Sequence, residues 1–150
     1  MIKPEFKRLT TVKLFETLNF SENHKLNDVL KLAAEICNVP MATISLMGED
    51  TQFIKCKIGL DVDEVQRETS FCKHLIDSDE ILVINDTLKD DRFYDNPAVT
   101  GYPDIRFYAG AALVSSEGCH IGSLCVYDQV PHLFTSIQQQ MLHILSTQAM

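Results

Sequence analysis

The stretch DDRFYDNPAVTGYPDIRFYAG, residues 90–110, indicates the architecture of this chain more clearly than any other part of its sequence. Its 21 residues hold several aromatic rings, two arginines, four aspartates and two breaks that carry proline. Core strands and surface helices rarely have such a composition. Many aromatic and charged side chains among loop-forming residues indicate one wall of a binding site laid over a scaffold.

The end of this stretch offers the first candidate binding residues. Arg106 and Tyr108 are two positions apart in a predicted strand, so their side chains share a face, and Gly110 leaves space beside them. A guanidinium, a phenol and a gap form a reasonable floor for a small anionic or planar ligand. The structural alternative is that Arg106 pairs with an aspartate (Asp86, Asp90 or Asp104) and holds the long crossover segment in place.

Helical periodicity flanks the centre of the chain on both sides. Apolar residues recur at helical spacing over residues 22–37 and again from residue 135, which predicts a first and a last helix. Thr135 and Gln138 form a capping-box signature at the start of the last helix. The predicted apolar stripes are Leu26, Val29, Leu30, Ala33, Ile36 and Cys37 in the first helix, and Ile137, Met141, Ile144, Leu145 and Gln148 in the last.

The region between these helices reads mainly as strands. Alternation predicts a strand over residues 42–46 with one buried face, and a hairpin to a strand over 52–58 with Ile54, Cys56 and Ile58 on one side. Ser70 or Thr69 caps a short helix through about Asp77, and the apolar run 81–84 indicates a central buried strand. Strands over 105–114 and 119–127 form a second hairpin. This order favours an α+β fold on a mostly antiparallel sheet.

Composition limits the partners and the location. The chain has 150 residues, enough for one domain, and its net charge of −8 argues against nucleic acid or an anionic membrane as a partner. No apolar run could span a membrane and no signal peptide is apparent, so we expect a cytoplasmic protein. Five irregularly spaced cysteines fit a reducing compartment, and no Cys or His spacing or glycine motif predicts a metal site or a cofactor.

Several short motifs, taken in order, resemble the GAF sensory domain, and in particular the subgroup at the N-terminus of bacterial signalling proteins. The motifs are Ser70–His74, Asp91-Arg92-Phe93, Asn96-Pro97, Arg106–Gly110 and Ile121–Asp128. The resemblance covers residues 22–150 and leaves residues 1–21 as a lead-in segment, predicted to be helical. It implies a GAF-like (PAS-like) central antiparallel sheet of about six strands with helices on both faces. The terminal helices would cover one face, and a ligand pocket would lie on the other.

The predicted ligand site combines this resemblance with the shared face of Arg106 and Tyr108. We expect both residues to border one cavity below the 86–105 segment. The predicted ligand-binding residues are Phe71, Cys72, His74, Asp86, Phe93, Arg106 and Tyr108. Asp86 is also predicted to cap the end of a strand, and Asp91-Arg92 is predicted to hold its loop in place.

Cys72 is the one cysteine in an activating position. It follows the predicted cap Ser70, and a helix start lowers the pKa of a thiol. Two kinds of GAF relative use cysteines: photoreceptors that attach a bilin, and free methionine sulfoxide reductases. The chain lacks the Cys-His pairs of the first and the cysteine pattern of the second. We therefore expect a buried, inert Cys72 and no catalytic residue.

The sequence favours a non-catalytic sensory domain that binds an unidentified small molecule. It would serve a longer signalling chain with an output domain, such as a sensor histidine kinase or a diguanylate cyclase. We also expect a homodimer through the terminal helices, because residues 22–37 and 135–150 are amphipathic and a bundle from two subunits would bury their apolar stripes. The lead-in segment is too apolar for a free tail and is expected to pack on a partner helix (Phe6, Leu9, Val12, Leu14, Phe15 and Leu18). Two alternatives stay open: an enzyme of the free methionine sulfoxide reductase type, and a dimerisation module without a ligand.

Overall fold

The computed structural model describes residues 2–16 and 24–150. Its six strands form one antiparallel sheet in the order β3-β2-β1-β6-β5-β4. Together with the helices, this sheet confirms the α+β prediction. The strands are β1 (Met41–Met47), β2 (Thr51–Ile58), β3 (Glu64–Gln66), β4 (Leu82–Ile84), β5 (Phe107–Val114) and β6 (His120–Asp128). The α-helices are α1 (Ile2–Glu16), α2 (His24–Cys37), α3 (Pro97–Thr100) and α4 (Ser136–Gln148).

Within the described residues, short 3-10 helices also form at Arg67–Thr69, Phe71–Leu75 and Thr87–Lys89. The second replaces the longer helix expected through about Asp77. Its start is as predicted, because the Ser70 side chain accepts a hydrogen bond from the Cys72 amide at 3.0 Å.

The two long helices of the domain follow the predicted pattern closely. Helix α2 begins at His24, and the two earlier residues of its predicted range lie outside the described residues. The capping box of α4 is present in both directions between Thr135 and Gln138. The buried face of α4, however, is formed by Leu142, Leu145 and Ser146.

The predicted apolar stripe of α4 was therefore partly wrong. Ile137 and Ile144 point to solvent, with 70% and 49% of their surfaces exposed. The reason is that α4 carries apolar side chains on two faces, and only one of them packs on the sheet and on α2. Periodicity alone does not show which face the core takes.

Strand β1 is buried on both faces, not on one as its alternation predicted. Helices cover one side, and the 3-10 helix Phe71–Leu75 and its neighbours cover the other. The polar residues of β1 are satisfied inside: Thr43 shares a hydrogen bond of 3.0 Å with the Tyr127 hydroxyl, and Ser45 shares one of 3.1 Å with Ser123. Buried hydroxyls with partners are compatible with a central strand.

Strand β2 contains a bulge that the alternation did not predict. Ile44 pairs with Cys56, but its neighbour Ser45 pairs with Ile54, so the register skips Lys55. Because side chains alternate along a strand, the skip sends Cys56 to the helix side and Ile54 to the opposite side. The prediction that Ile54 and Cys56 share a side was wrong for this reason.

Strand β4 lies at the edge of the sheet rather than at its centre. Among the described strands it pairs with β5 alone, with Val83 opposite Ala109. The apolar run 81–84 does not distinguish an edge strand from a central one, because a strand covered on both faces is continuously apolar in either position. Leu82 packs against the core on one face of the sheet and Val83 against the core on the other.

The sheet separates two hydrophobic cores. Helices α1, α2 and α4 pack on one face, where Ile44, Leu124 and Phe107 are fully buried. The other face is covered by the 3-10 helix Phe71–Leu75 and by the 86–105 segment. That second core is richer in aromatic and sulfur-containing side chains than the first: Met41, Met47, Phe71, Cys72, Phe93, Tyr108, Cys125 and Tyr127.

Helix α1 attaches to the sheet through a buried arginine. The Arg8 guanidinium, only 4% exposed, donates to the carbonyls of Met47 at 2.6 Å and Gly48 at 3.3 Å. It also forms an ion pair with Glu5 at 2.8 Å, and Arg67 binds the same carboxylate at 2.7 Å. The hydrogen bond from Arg8 lowers the pKa of Glu5 to about 2, against the opposing effect of burial, and Arg67 adds to it.

The apolar residues expected in the lead-in segment divide between core and surface. Val12 is buried, whereas Phe6 and Leu14 are 69% and 71% exposed. Leu18 and the boundary between the lead-in segment and the domain lie outside the described residues. Within the described ranges, no helix is both long and apolar enough to cross a bilayer.

We predict that Arg8→Ala destabilises the fold by about 1.5–3 kcal/mol, since hydrogen bonds to a charged group are lost and the Met47 carbonyl loses its donor. Urea denaturation followed by circular dichroism measures this. The matched control is Lys7→Ala, an exposed neighbour whose replacement should change stability by less than about 0.5 kcal/mol. Equal effects of the two changes would contradict the proposed attachment.

Candidate functional site

A cavity of about 210 Å³ lies on the sheet face opposite the terminal helices. Strand β2 and Tyr127 of β6 contribute to its floor, and loops from three parts of the chain close around it. The lining residues are Gln52, Ile54, Leu60, Val62, Glu64, Val65, Thr69, Ser70, Phe71, Cys72, Asn96, Pro97, Ala98, Tyr102, Pro103, Ile105 and Tyr127. Most are apolar, with a few polar groups among them, which is the usual composition of a small-molecule site.

The bulge in β2 is what brings Gln52 and Ile54 to this cavity. Gln52 is 3% exposed, and its side-chain nitrogen donates to the Ser45 hydroxyl at 2.8 Å. Its side-chain oxygen accepts a hydrogen bond from Ser70. Gln52 therefore connects the centre of the sheet to the turn that begins the Phe71–Leu75 helix.

The opposite wall is held by Asn96 and Tyr102. Asn96 caps α3 by accepting from the Ala98 amide at 2.9 Å, and its side-chain nitrogen donates to the Thr69 carbonyl at 2.7 Å. The Tyr102 hydroxyl accepts a hydrogen bond from the Asp61 amide at 3.0 Å. These contacts join three separate segments of the chain around the cavity.

The cavity carries little charge. Among its lining residues no lysine, arginine or histidine occurs, and Glu64 is the one ionisable carboxylate. The polar groups are amides and hydroxyls from Gln52, Asn96, Ser70 and Thr69. Such a lining suits a neutral ligand and offers no cation to an anionic one.

A second cavity, of about 900 Å³, lies between α1 and the turn that joins β1 to β2. It is wider and is bordered by several charged side chains of α1 and of the turn, including Glu5, Lys13 and Glu16. We place the candidate site in the first cavity because that one combines apolar walls with buried polar groups that converge on it.

The structure brings together five of the seven residues that the sequence predicts as ligand-binding. Phe71 and Cys72 line the cavity, while Phe93 and Tyr108 lie behind Phe71 at ring distances of 4.6 and 5.0 Å. The exposed His74 packs edge-on against Phe93 at 5.3 Å, and burial and nearby positive charges lower its pKa. Tyr108 itself is fully buried and does not reach the cavity.

Arg106 and Asp86 lie apart from this cluster. Arg106 donates to the carbonyls of Val99 at 2.9 Å and Ile105 at 3.2 Å, so it holds the crossover segment through backbone oxygens rather than through an aspartate. Asp86 accepts from the Leu88 amide at 3.1 Å and caps the following 3-10 helix. Neither borders the cavity, although their role in ligand binding remains a prediction.

The loop that Asp91-Arg92 was expected to hold is held through Asp90 instead of Asp91. Arg92 forms its ion pair with Asp90 at 2.9 Å, and its guanidinium lies 5.1 Å from the centre of the Phe93 ring. The hydrogen bond from Arg92 lowers the pKa of Asp90. Asp91 is exposed.

The gap that Gly110 leaves is filled by Tyr108. A methyl group at position 110 would lie 2.2 Å from the Tyr108 hydroxyl oxygen and 3.0 Å from the Cys125 sulfur. The Tyr108 hydroxyl uses this space to contact the Cys125 sulfur at 3.1 Å and the Cys72 sulfur at 3.3 Å. The predicted gap therefore accommodates a buried hydrogen-bond network beneath the cavity, not a ligand.

Two thiols meet at the centre of this network, with the sulfurs of Cys72 and Cys125 3.2 Å apart. Burial opposes ionisation of Cys72, but hydrogen bonds, led by those from Cys125 and Ser123, lower its pKa to about 6. Burial, followed by the hydrogen bond and charge of Cys72, raises the pKa of Cys125 well above its usual value. The opposite directions describe one coupled pair, in which Cys72 loses the first proton and its charge keeps Cys125 protonated.

Sequence reasoning missed Gln52 and Tyr127 as lining residues. In the sequence Gln52 is an ordinary polar residue near a turn. No local pattern predicts the bulge that directs its side chain into the core. Asn96 lay within a recognised motif but received no role. An aspartate or asparagine directly before proline commonly caps a short helix, and that pattern could have placed Asn96 at the wall.

The sequence profile of the GAF domain family matches residues 23–150. A cyclic di-GMP phosphodiesterase of Pseudomonas aeruginosa is 37% identical over 127 residues, which cover 85% of this chain. The chain spans only 22% of that relative's length. The similarity therefore concerns one region of a much longer protein.

Solved structures show the same fold at low sequence identity. The GAF domain of a phosphoenolpyruvate-protein phosphotransferase from Coxiella burnetii superimposes with a TM-score of 0.69 at 12% identity, covering 98% of this chain and 90% of that one. A type II free methionine-R-sulfoxide reductase from Thermoplasma acidophilum gives 0.68 at 9% identity, covering 97% and 92%. At these identities the likeness establishes the fold alone.

We predict that Gly110→Ala lowers stability by about 1–3 kcal/mol, because the added methyl group overpacks the Tyr108 hydroxyl. Chemical denaturation measures the loss. The matched control is Gly101→Ala, whose methyl group would meet its nearest neighbour at 3.4 Å and should cost less than about 0.5 kcal/mol. Adding Tyr108→Phe to the Gly110→Ala variant should recover part of the loss, since it removes the closest atom. An unchanged stability of Gly110→Ala would contradict the packing described.

Proposed function

Because the chain belongs to the GAF domain family, we propose that it is a sensory domain that binds a small molecule in the 210 Å³ cavity. The observation that carries the proposal is the cavity itself, with apolar walls and a few converging amides and hydroxyls. The domain would be non-catalytic and would serve a cytoplasmic bacterial signalling protein whose output domain lies elsewhere in a longer chain. The relative from Pseudomonas aeruginosa supports such a setting.

The cavity favours a small and neutral ligand. An engineered cavity of about 150 Å³ holds benzene, and this cavity measures about 210 Å³. A molecule slightly larger than a single aromatic ring fits this volume. Gln52 and Asn96 would fix its orientation by hydrogen bonds, while Phe71, Ile105 and Tyr127 contact its apolar surface.

A cyclic dinucleotide does not suit this site. Its two phosphates would need basic partners, and the lining contains none. Its volume also far exceeds the space enclosed. The cavity therefore gives no support for cyclic di-GMP as the ligand of this chain.

The route from the cavity to the rest of the domain would run through Gln52. This side chain bonds Ser45 in the central strand β1, and Ser45 contacts Ser123 in β6. Both strands pack against α2 on the opposite face. A ligand that forms a hydrogen bond with Gln52 would therefore affect the strands that support the terminal helices.

We also propose a homodimer through the terminal helices, with residues 1–21 as a lead-in to a domain of residues 22–150. The exposed face of α4 supports it, since Ile137 and Ile144 are one heptad apart and both face solvent. On α1, Phe6 and Leu14 are also exposed. A second copy would bury these side chains, as in bundles of amphipathic helices.

Native mass spectrometry of the protein purified under mild conditions tests the ligand proposal. We expect a bound small molecule that is lost from Ala98→Leu, in which the added side chain fills part of the cavity. Thr100→Leu, an exposed change in the same short helix, should retain it. A wild-type protein free of any adduct would instead support the ligand-free dimerisation module.

Light scattering over a concentration series tests the dimer. Ile137→Lys and Ile144→Lys should each raise the dimer dissociation constant by at least roughly tenfold, or about 1.4 kcal/mol, because a charge replaces an apolar contact. The control is His143→Lys, which is exposed on another side of the same helix. A wild-type chain that remains monomeric at high micromolar concentration would contradict the proposal.

A further inference from the structure

Two paired thiols lie at the wall of the cavity and beneath it, and the proposed hydrogen bonds to the ligand do not use them. Cys72 begins the Phe71–Leu75 helix and lines the cavity, whereas Cys125 lies in the middle of β6 and is completely buried. Their sulfurs are 3.2 Å apart, and both thiols are free. The other three cysteines, Cys37, Cys56 and Cys119, belong to the core on the helix side of the sheet.

The cavity gives one of the two sulfurs a path to small solutes. Cys72 is 3% exposed and forms part of the cavity wall, while Cys125 is fully buried and is not among the lining residues. A disulfide requires about 2.05 Å between sulfurs, so a closing movement of about 1 Å would join them. The short helix that carries Cys72 can supply this movement, because it is a 3-10 helix of only five residues.

The surroundings prepare Cys72 to react. The side-chain amide of Gln52 donates to its sulfur at 3.3 Å, and the Tyr108 hydroxyl lies at the same distance. Burial and the charges of nearby thiols raise the pKa of Tyr108, so its hydroxyl keeps the proton that it donates. Donors directed at a sulfur favour the thiolate, which is the nucleophilic form.

We propose that Cys72 and Cys125 form a reversible disulfide when a small hydroperoxide enters the cavity. In the reducing cytoplasm expected for this chain, disulfides are usually transient and redox-sensing, which suits a sensory domain. The oxidation requires no bound ligand, although the thiol pair and the small ligand proposed above would share one wall of the cavity.

The chemistry balances with hydrogen peroxide as the only oxidant. The Cys72 thiolate attacks one peroxide oxygen, the O–O bond breaks, and the departing hydroxide takes up a proton to leave as water. The resulting sulfenic acid is attacked by the Cys125 sulfur, which forms the S–S bond and expels the second oxygen as water. Two electrons pass from the sulfurs to the peroxide, and both thiol protons end in water.

Oxidation would change the cavity wall. The bond would draw the start of the Phe71–Leu75 helix towards β6, and the Cys72 sulfur would no longer accept from Gln52 as a thiolate. Gln52 also bonds Ser70 and Ser45, so its rearrangement would reach both the cavity and the central strand. Ligand affinity should therefore depend on the redox state of the pair.

The test treats the folded protein with a modest excess of hydrogen peroxide, then alkylates it under denaturing conditions and maps its peptides without reduction. We expect the loss of two of the five thiols and one linkage, between Cys72 and Cys125. Dithiothreitol should restore both thiols. Because the map is made on the unaltered chain, its result does not depend on any variant folding.

Cysteine-to-serine variants test which two cysteines form the disulfide. Cys72→Ser and Cys125→Ser, each shown to be folded by circular dichroism, should form no disulfide. Cys119→Ser, in the other core, should lose two thiols as the wild type does. Three results would overturn the proposal: five thiols retained after peroxide, a linkage that involves another cysteine, or Cys72 oxidised to sulfinic acid without bonding to Cys125.

Discussion

The bulge in β2 at Lys55 determines which β2 side chains lie on each face of the sheet, and the candidate site depends on it. Without the register skip, strict alternation from Cys56 would leave Ile54 on the helix side and Gln52 with it. The cavity would then lose an apolar floor residue and the amide that links Ser45 to Ser70. Bulges commonly redirect a side chain next to a functional site, and this one separates the helix-packing half of β2 from the cavity-lining half.

The inward Gln52 has a further consequence for the polar groups on this face. Ser45, Ser70 and Ser123 are buried hydroxyls that would be costly without partners, and each finds one in the network around Gln52 or across β6. The two thiols and the Tyr108 hydroxyl continue the same network beneath the cavity floor. A fully satisfied network of this kind fixes a single arrangement of the core, so a ligand or an oxidant that disturbs one member affects the others.

Local patterns predicted much of the architecture. Both long helices, the two hairpins and the capping box at Thr135 followed from periodicity and turn residues, because such features are determined within a few residues. Phe71, Phe93 and Tyr108, which the sequence grouped in one predicted site, pack together in one core, and their role in ligand binding stays a prediction.

Features that depend on distant parts of the chain could not be predicted. The position of β4 at the sheet edge and the bulge in β2 are set by strand partners, not by local sequence. Arg106 binds a backbone carbonyl, which no sequence pattern reveals as an acceptor. The contact between Cys72 and Cys125 joins residues 53 positions apart.

The central claim is that the face opposite the terminal helices holds a small neutral ligand between β2 and the 96–105 segment. A crystal structure of the protein as purified from cells, without any added ligand, tests this most directly. We expect electron density for a compact molecule in the cavity, within hydrogen-bond distance of Gln52 or Asn96. Density for water alone in that cavity, or a ligand bound instead between α1 and the β1–β2 turn, would contradict it.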